Sequence, residues 1–373
     1  MKVLIAAAGT GGHINPGLAI ANKIKQENPE VQITFVGTTR GLENDLVPRA
    51  GYCLKTIEVY GISRKISLEN IKKMVKTLKG FGQAKNLIKE IKPDIVIGTG
   101  GYICGPTCLA AVKQNIPTIL HESNAFPGVT VKMLSSKVNE ILVGFEDAVK
   151  RLPKAKKIVV TGNPTKIKAL CYTEEEKKKK KKEQGLDEKL PLVLVFGGSQ
   201  GARPINEAML DIIENRKNKG YSILWAAGPK QYDGIKQELE DQKMPIDLLP
   251  DVKIVPYIYQ MEEILNVADL VICRSGAMTT TEIGVVGKPA IFIPLPFATE
   301  NHQEYNANVL AKQGAAEIIH DTELKGEYFA NKIEELIHNQ ELLKQMGQKA
   351  KSIAIKGVEN KIYEEIVGVL KKK

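Results

Sequence analysis

The stretch from residue 270 to residue 282 joins a strand pattern to residue types that can bind an anion and a sugar. Residues 270–273 form a short apolar run, typical of a parallel strand that is buried on both faces. A Ser-Gly pair follows, and a helix is predicted to begin near Ala277, where free amides and the helix dipole would attract an anion. Glu282, about one and a half turns further on, could accept hydrogen bonds from a ribose diol. The stretch indicates a nucleotide site, but a carboxylate placed early in a helix only because the dipole favours it stays open.

Three glycine-rich segments follow predicted strands elsewhere in the chain: residues 9–13, 98–102 and 197–202. Glycine has no Cβ and tolerates positive φ, so the amides of such a turn can approach a diphosphate. None of the segments is a P-loop, and none has the spacing of the nicotinamide fingerprint. Three such turns in one chain favour a bound phosphate and sugar over tight turns alone.

Strand and helix patterns alternate along the chain, which predicts βαβ units with parallel sheets. We predict an α/β fold of two doubly wound domains, residues 1–163 and 164–354, with a last helix in residues 355–373 that returns to the first domain. Binding crevices lie at the carboxyl ends of parallel strands, so a ligand is expected in the cleft between the domains. The first helix is predicted to open at Pro16. The predicted strands are 3–8, 31–36, 94–98, 117–120, 140–143, 157–161, 192–196, 222–226, 252–255, 270–273, 290–293 and 316–319.

The composition is that of a globular protein without membrane spans or a disulfide framework. The 373 residues are 43% hydrophobic and 26% charged, and no apolar run approaches the length of about 20 residues that crosses a bilayer. The first residues enter a strand pattern after one lysine, so no signal peptide is expected and the protein is predicted to be cytoplasmic. Five cysteines without C-x-x-C pairs indicate reduced thiols and no zinc site.

Lysine and arginine exceed aspartate and glutamate by ten, which suggests an anionic partner. Part of this surplus lies in residues 177–182, which are predicted to form a solvated helix or a connector without a function of its own. A nucleic-acid-binding protein is the least favoured alternative, because only 5% of the residues are aromatic and no nucleic-acid motif accompanies the lysines.

Residues 66–91 have the pattern of a basic amphipathic helix. Apolar side chains recur at helical spacing between lysines, and such a helix can lie on an anionic membrane surface. Part of the apolar stripe is expected to pack on its own domain instead. The residues predicted to dock on the membrane are Ile71, Val75, Leu78 and Phe81, with Lys72, Lys76 and Lys79.

Seven short motifs stand along the chain in a fixed order. They are Gly9–His13 with Pro16-Gly17, Gly100–Tyr102 with Gly105-Pro106, His121–Asn124, Thr161–Pro164, Gly197–Gly201, Arg274–Ala277, and Asn301–Gln303 with Asn306-Ala307. Together they resemble the MurG family of bacterial peptidoglycan glycosyltransferases. The resemblance implies a two-domain GT-B fold and inverting transfer of N-acetylglucosamine from UDP-GlcNAc to the C4 hydroxyl of the muramic sugar of lipid I, which gives lipid II. It further implies a peripheral protein on the cytoplasmic side of the cell membrane, with the anionic inner leaflet and other cell-wall synthesis proteins as partners.

The resemblance also implies the residues that bind the sugar nucleotide. Glu282 would bind the ribose, the backbone of Ile258 the uracil edge, and Ser199 the diphosphate. Gln303 would bind the sugar hydroxyls, and Asn124 would face the same sugar from the first domain. The other residues assigned to the donor are Thr10, Gly11, Gly12, Lys166, Gln200, Ala277, Met278 and Thr279.

Inverting transfer needs a base that takes the proton of the acceptor hydroxyl. His13 is the candidate, because it adjoins the first glycine turn and the reference pKa of histidine is near neutral. A role in orienting the loop or contacting phosphate stays open. No metal or other cofactor is expected, because the sequence has no Asp-x-Asp motif and a helix N-terminus with oriented amides can stabilise a departing pyrophosphate.

Two positions depart from the family pattern. Lys166 stands where the family usually has arginine, and a lysine keeps the charge but loses the planar fork. Ala8 replaces the first glycine of the first motif. A UDP-GlcNAc 2-epimerase, or another GT-B sugar transferase, shares the fold and the nucleotide site and remains the alternative enzyme.

Overall fold

The structure is a computed structural model of the chain. It describes residues 1–60, 68–249, 251–325 and 327–372, and the side chains of residues 68–76, 78 and 299 lie outside what it describes. The chain divides into two compact units. Unit 1 comprises Met1–Lys166 and Ile355–Lys373, and unit 2 comprises Ile167–Ala354. The boundary that the sequence predicted after residue 163 lies three residues before this division.

Unit 1 alternates strands and helices along the chain. Its elements are β1 (Lys2–Ala7), α1 (Gly11–Glu27), β2 (Gln32–Gly37), α2 (Glu43–Arg49), β3 (Cys53–Thr56), α3 (Leu68–Ile91), β4 (Ile95–Gly100), α4 (Cys104–Val112), β5 (Thr118–Glu122), α5 (Val129–Leu134), β6 (Glu140–Val143), β7 (Ile158–Val160) and, at the end of the chain, α14 (Val358–Lys371). Within the described residues the seven strands form one parallel sheet in the order β3-β2-β1-β4-β5-β6-β7.

Successive residues of β1 enter two separate cores. Val3, Ile5 and Ala7 pack with α1 and α14, whereas Leu4 and Ala6 pack with α3 and α4. All five side chains are fully buried. A strand covered by helices on both faces has this pattern, which is why its sequence reads as a continuous apolar run.

The last helix completes the first of these cores. Ile362, Ile366 and Val369 of α14 are buried in the core that β1 and α1 share. An ion pair network adds to this packing, because Lys157 Nζ contacts the carboxylates of Glu140 and Glu365, the first at 3.0 Å. The helix predicted near the C-terminus is thus part of unit 1.

Unit 2 repeats the same alternation. Its elements are α6 (Glu174–Glu183), β8 (Leu192–Phe196), α7 (Arg203–Glu214), β9 (Ser222–Ala226), α8 (Tyr232–Asp241), β10 (Val252–Val255), α9 (Met261–Val267), β11 (Leu270–Cys273), α10 (Ala277–Val286), β12 (Ala290–Phe292), α11 (His302–Ala311), β13 (Ala316–Ile318), α12 (Glu327–Ile337) and α13 (Gln340–Ile353). In the part of unit 2 that is described, six strands form a parallel sheet in the order β10-β9-β8-β11-β12-β13. Two α/β units with parallel sheets confirm the predicted fold class.

The first helix and the edge strand β3 differ from the prediction. The first helix begins at Gly11 rather than at Pro16, because Thr10 has extended backbone (φ −112°, ψ 160°) and starts the helix as its N-cap. Pro16 lies inside the helix, where its missing amide costs one bond to Gly12 O. The edge strand β3 was not predicted, because it is four residues long and its side chains are mostly exposed.

The lysine-rich segment is only partly solvated. It forms α6, which opens on a capping box between Thr173 and Glu176. Lys181 is buried, contrary to prediction, and its Nζ donates to Leu190 O at 2.8 Å and to Asp269 Oδ2 at 3.3 Å. The bonds compensate the burial of the charge.

Candidate active site

In unit 2 the chain reverses its direction of winding between β8 and β11. From β8 the chain continues to β9 on one side, and from β11 it continues to β12 on the other. Ligands bind open α/β sheets in the crevice outside the carboxyl ends of two such strands. The turns at this place are residues 197–202 and 274–276, so two of the predicted segments flank one crevice.

The turn after β11 leads directly into the N-terminus of α10. Gly276 is the N-cap, in extended backbone (φ −63°, ψ 148°), and it has no side chain that could cover the helix amides. The amide of Thr280 makes the first intrahelical bond, to Gly276 O at 2.9 Å. The amides of residues 277–279 precede that bond, and they can bind an anion. Glu282 lies half-buried on the following turn, where a carboxylate can reach a sugar attached to that anion.

Close packing requires two glycines of the turn after β8. A Cβ on Gly197 would lie 2.3 Å from Ala202 N, and a Cβ on Gly201 would lie 2.2 Å from Ala227 O. Gly198 has no atom within 4 Å of its Cβ position, although its φ is +94°. Ser199 and Gln200 follow at the exposed tip of the turn. The predicted diphosphate residues are therefore accessible, and the backbone beneath them is fixed by packing.

Gln303 is held by the segments that follow β12 and β11. Its Oε1 accepts from the amide of Leu295 at 3.0 Å, and its backbone oxygen accepts from Ser275 Oγ at 2.8 Å. Asn306, one turn further along α11, donates to Ser275 O at 3.2 Å. With Oε1 engaged, the Nε2 amide of Gln303 is the group suited to donate to a sugar hydroxyl.

A partly buried ion pair supports this arrangement, and no sequence motif marked it. Nη1 of Arg274 donates to Ile293 O and Pro294 O, both at 3.1 Å. The same guanidinium pairs with Asp321, Nη1 to Oδ1 at 2.5 Å and Nη2 to Oδ2 at 3.1 Å. Arg274 thus ties the end of β11 to the end of β12. No local pattern marks Asp321, which is 47 residues away along the chain.

Ile258 lies after β10, at the same edge of the sheet. Its side chain is buried in the core, so only its backbone can meet a ligand. The flanking Tyr257 and Tyr259 are exposed, with ring centroids 5.1 Å apart in an edge-to-face arrangement.

In unit 1 the winding reverses between β1 and β4. The first two glycine-rich segments, residues 9–13 and 98–102, lie at the carboxyl ends of these strands. A Cβ on Gly100 would lie 2.3 Å from the ring of His13, and a Cβ on Gly101 would lie 2.4 Å from Ala8 O. The second cluster therefore packs against the first, which is a steric reason for its glycines that the sequence analysis did not foresee. Thr10, Gly11 and Gly12 form the cap and the start of α1 rather than a loop.

His13 stands in the first turn of α1, half-buried. Its Nδ1 lies 3.2 Å from Ala8 O. A carbonyl oxygen can only accept, so Nδ1 carries a proton, and Nε2 bears the lone pair in the neutral ring.

Asn124 follows β5 and is oriented by its neighbour Glu122. The carboxylate of Glu122 accepts from the backbone amide of Asn124 at 2.9 Å, from its Nδ2 at 3.0 Å and from Gly128 N at 2.8 Å. Burial raises the pKa of Glu122, while these bonds and the nearby Lys132 oppose the rise. Glu122 therefore fixes the direction of the Asn124 amide.

His121 is fully enclosed beside them. Burial lowers its pKa to about 4, and its ring Nε2 lies 3.3 Å from Gly162 O. The lowered pKa keeps this enclosed imidazole neutral near pH 7.

These sites can be compared with known proteins. The chain matches the Glycosyltransferase family 28 N-terminal domain over residues 3–143 and the Glycosyltransferase family 28 C-terminal domain over residues 192–362. The chain belongs to glycosyltransferase family 28. Within this family it is similar to curated enzymes named UDP-N-acetylglucosamine--N-acetylmuramyl-(pentapeptide) pyrophosphoryl-undecaprenol N-acetylglucosamine transferase. That of Ruminiclostridium cellulolyticum is 44% identical over 99% of this chain and 100% of the relative. Transferase 1 of Bacillus cereus is 42% identical over 100% of both chains.

Solved structures agree with membership of family 28. MurG of Acinetobacter baumannii superposes with a TM-score of 0.77 at 30% identity, over 98% of this chain and 99% of that chain. UDP-GlcNAc 2-epimerase of Neisseria meningitidis, bound to UDP-GlcNAc, superposes with a TM-score of 0.65 at 16% identity, over 99% of this chain and 100% of that chain. The second likeness concerns the fold alone.

The family 28 C-terminal domain begins at β8 and includes every element of the unit 2 crevice. Lys166 stands outside both matched ranges, as an exposed residue at the end of the first segment of unit 1. The part of the chain that the structure describes has no cluster of three or more potential metal ligands and no helix long and apolar enough to cross a bilayer.

The residues predicted to dock on a membrane lie in α3, which is helical from Leu68 to Ile91. The side chains of Ile71, Lys72, Val75, Lys76 and Leu78 lie outside what the structure describes. Lys79 is exposed. Phe81 packs partly against the core and has Lys113 Nζ 5.2 Å from its ring centroid, so one member of the stripe is partly internal.

Proposed function

We propose that the chain transfers N-acetylglucosamine from UDP-GlcNAc to the C4 hydroxyl of the muramic sugar of lipid I, with inversion at the anomeric carbon, to give lipid II. The observation that carries this proposal is the 44% identity, over 99% of this chain, to an enzyme named for the same transfer. Identity at this level over both units exceeds the 16% found for the UDP-GlcNAc 2-epimerase. The transferase is therefore preferred over the epimerase.

The crevice of unit 2 suits the donor. The first amides of α10 supply fixed donors for the diphosphate, and Glu282 supplies an acceptor for the ribose. Ser199 and Gln200 are exposed at the tip of the facing turn. Gln303, with its Oε1 bonded to Leu295, offers its Nε2 to the sugar.

His13 is proposed as the base. The bond from its Nδ1 to Ala8 O favours the tautomer whose Nε2 accepts a proton. The acceptor hydroxyl would lose its proton to Nε2 while its oxygen attacks the anomeric carbon, and UDP would leave with the electrons of the broken bond. The positive end of α10 would stabilise the charge on the departing diphosphate without a metal ion.

A lipid-linked acceptor requires contact with a membrane. We propose that α3 makes it, since the sequence gives this helix an apolar stripe and several lysines, and Lys79 is exposed. The cytoplasmic leaflet is the expected surface because its lipids are anionic.

The experiment that tests the function is a transfer assay with radiolabelled UDP-GlcNAc and a lipid I analogue. Label is expected in the lipid product, with UDP released in equal amount and only when the analogue is present. Conversion of UDP-GlcNAc to its C2 epimer without acceptor, and no labelled lipid, would show the epimerase instead.

A further inference from the structure

One peptide group in unit 1 is hydrogen-bonded at both ends by ionisable side chains. The carbonyl oxygen of Ala8 accepts from Nδ1 of His13 at 3.2 Å, and the amide of the next residue, Gly9, donates to Oε2 of Glu43 at 2.9 Å. The Ala8–Gly9 peptide therefore stands between a carboxylate and an imidazole. Glu43 opens α2 and belongs to none of the sequence motifs.

Glu43 is built into this position. Its side chain is 0% exposed, and Oε1 accepts from both the amide and the hydroxyl of Thr38 at 2.8 Å. Burial raises the pKa of Glu43, but the bonds from Gly9 and Thr38 outweigh it and hold the pKa below its usual value. A Cβ on Gly37 would lie 2.5 Å from Glu43 Cγ, and a Cβ on Gly41 would lie 1.9 Å from Oε2. Two glycines thus make room for an ionised carboxylate.

The second glycine cluster holds the other end of the arrangement. Gly100 (φ +127°) lies against the ring of His13, and Gly101 (φ +82°) lies against Ala8 O. A Cβ at either position would approach within 2.4 Å. The ring and the peptide are therefore held by close packing as well as by hydrogen bonds.

We propose that Glu43 is a positioning residue for His13 and acts on it through the Ala8–Gly9 peptide. A carboxylate at the amide end polarises the peptide, and its carbonyl becomes a stronger acceptor for the imidazole. The bond fixes the proton on Nδ1, leaves the lone pair on Nε2 and stabilises the imidazolium once it forms, as a directly bonded carboxylate does for a catalytic histidine. The inference rests on the base role given to His13 in the proposed function.

The hydroxyl proton of the acceptor moves to Nε2 of His13, the acceptor oxygen bonds to the anomeric carbon, and the bond to the diphosphate breaks with its electrons going to UDP. Glu43 stays ionised throughout, and no proton crosses the peptide.

Other charged or titratable groups lie on the segments around this turn. These groups have other partners: Arg40 stacks 3.9 Å above the Tyr60 ring, Asp45 pairs with Arg49, Cys104 contacts Ala6 O and Gly100, and Glu365 of α14 pairs with Lys157. Glu43 is the carboxylate bonded to the peptide that His13 contacts.

The test compares Glu43→Gln with the wild type in the lipid I transfer assay across pH. Glutamine keeps the shape, but its NH₂ must face either the Gly9 amide or the donors of Thr38, so the peptide loses its ionic partner. We expect kcat to fall about tenfold. The acidic limb of the kcat profile should move about half a unit to lower pH, because a less stabilised imidazolium has a lower pKa. The affinity for UDP should stay unchanged, since the residues predicted to bind its uracil, ribose and diphosphate, Ile258, Glu282 and Ser199, lie in unit 2.

Thr38→Val is the matched control, because it removes a bond to the same carboxylate and leaves the bond to Gly9. Its kcat should stay within about twofold of wild type, with the acidic limb unmoved. His13→Ala and the double variant His13→Ala/Glu43→Gln should have equal kcat, since Glu43 acts only through His13. The proposal is overturned if Glu43→Gln lowers kcat as much in the His13→Ala background, or lowers it without moving the acidic limb.

A spectroscopic readout covers the case in which Glu43→Gln does not fold. Nitrogen-15 spectra of the wild-type histidines, assigned with His13→Ala, should show His13 protonated at Nδ1 in its neutral form. A neutral ring protonated at Nε2 overturns the proposal. This readout needs no turnover, so it also separates failure of the inference from failure of the proposed function, which would appear as a wild type without transferase activity.

Discussion

At the scale of residues, the polar groups of the candidate sites in unit 1 and in unit 2 are oriented by bonds to backbone or to a neighbouring carboxylate. Gln303 is fixed through Leu295, Asn124 through Glu122, and His13 through Ala8. Each bond selects which end of an amide or a ring remains for a ligand. All three partners lie within eight residues along the chain, so local backbone geometry makes these choices.

Glu282→Gln tests the ribose contact. UDP affinity should fall about tenfold, because a hydrogen bond to a charged acceptor contributes about 1.5 kcal/mol. Titration calorimetry with UDP measures it, and Glu238→Gln, exposed on α8, is the matched control. A nucleotide without the ribose hydroxyls should bind the wild type and Glu282→Gln equally. An undiminished UDP affinity in Glu282→Gln would leave the carboxylate as a mere helix-start residue.

At the scale of elements, helix N-termini lie at the strand ends of both units, and the C-terminal helix α14 packs on unit 1. α10 begins at the carboxyl end of β11, and α1 begins four residues after β1. α14 closes a core of unit 1 from the far end of the sequence. Its ion pair network with β6 and β7 gives this packing a pH dependence.

Burial raises the pKa of Glu140 to about 7, with neighbouring Glu365 adding to the rise and Lys157 opposing it. A carboxyl group whose pKa is higher in the folded than in the unfolded state stabilises the fold at pH values below its unfolded pKa, near 4.5. This contribution is lost as the pH rises through the folded pKa, about 7. From pH 5 to pH 8, the free energy of unfolding of Glu140→Gln should therefore rise by about 1–3 kcal/mol relative to that of the wild type. Melting temperatures at both pH values measure this change. The control variant is Glu364→Gln, since Glu364 is exposed on α14. A difference independent of pH would contradict it.

Membrane contact is proposed for α3, and removal of its charge tests the proposal. Replacing Lys79 and Lys85, both exposed, by alanine should weaken binding to anionic vesicles about 25-fold, since each lysine near the surface contributes about 1 kcal/mol. Sedimentation at low salt measures the partition. Lys178→Ala/Lys179→Ala in α6, also exposed, should change nothing. Equal binding of the wild type to anionic and neutral vesicles would count against α3 as the docking helix.

At the scale of the whole molecule, two doubly wound units each present glycine turns and a helix N-terminus at the carboxyl edge of a parallel sheet. This arrangement places oriented amides where a diphosphate can bind. It supports the proposal of a transfer that needs no metal.

Transfer should proceed unchanged in excess EDTA, because the departing diphosphate would be stabilised by amides and the α10 dipole. Initial rates with and without EDTA measure this, and a metal-dependent sugar transferase serves as the positive control. Activity lost in EDTA and restored by Mg²⁺ would require a metal site.

The sequence by itself determined the fold class and, within the described residues, every strand except β3. The predicted bounds of β6, β8, β9, β10 and β11 agree with the structure, because a strand buried on both faces must be a short apolar run between turn residues. The exposed edge strand β3 had no such pattern. Pro16 gave a wrong start for the first helix, because a proline opens helices more often than it occurs within them.

Only the tertiary structure decided which residues support the site. Glu43 accepts a hydrogen bond from the amide of Gly9, 34 residues away along the chain. Asp321 pairs with Arg274, 47 residues away. Neither contact has a local pattern, since hydrogen bonds between elements depend on sheet order and helix packing rather than on spacing along the chain. The sequence thus named the groups that could bind a sugar nucleotide, and the fold chose the partners that orient them.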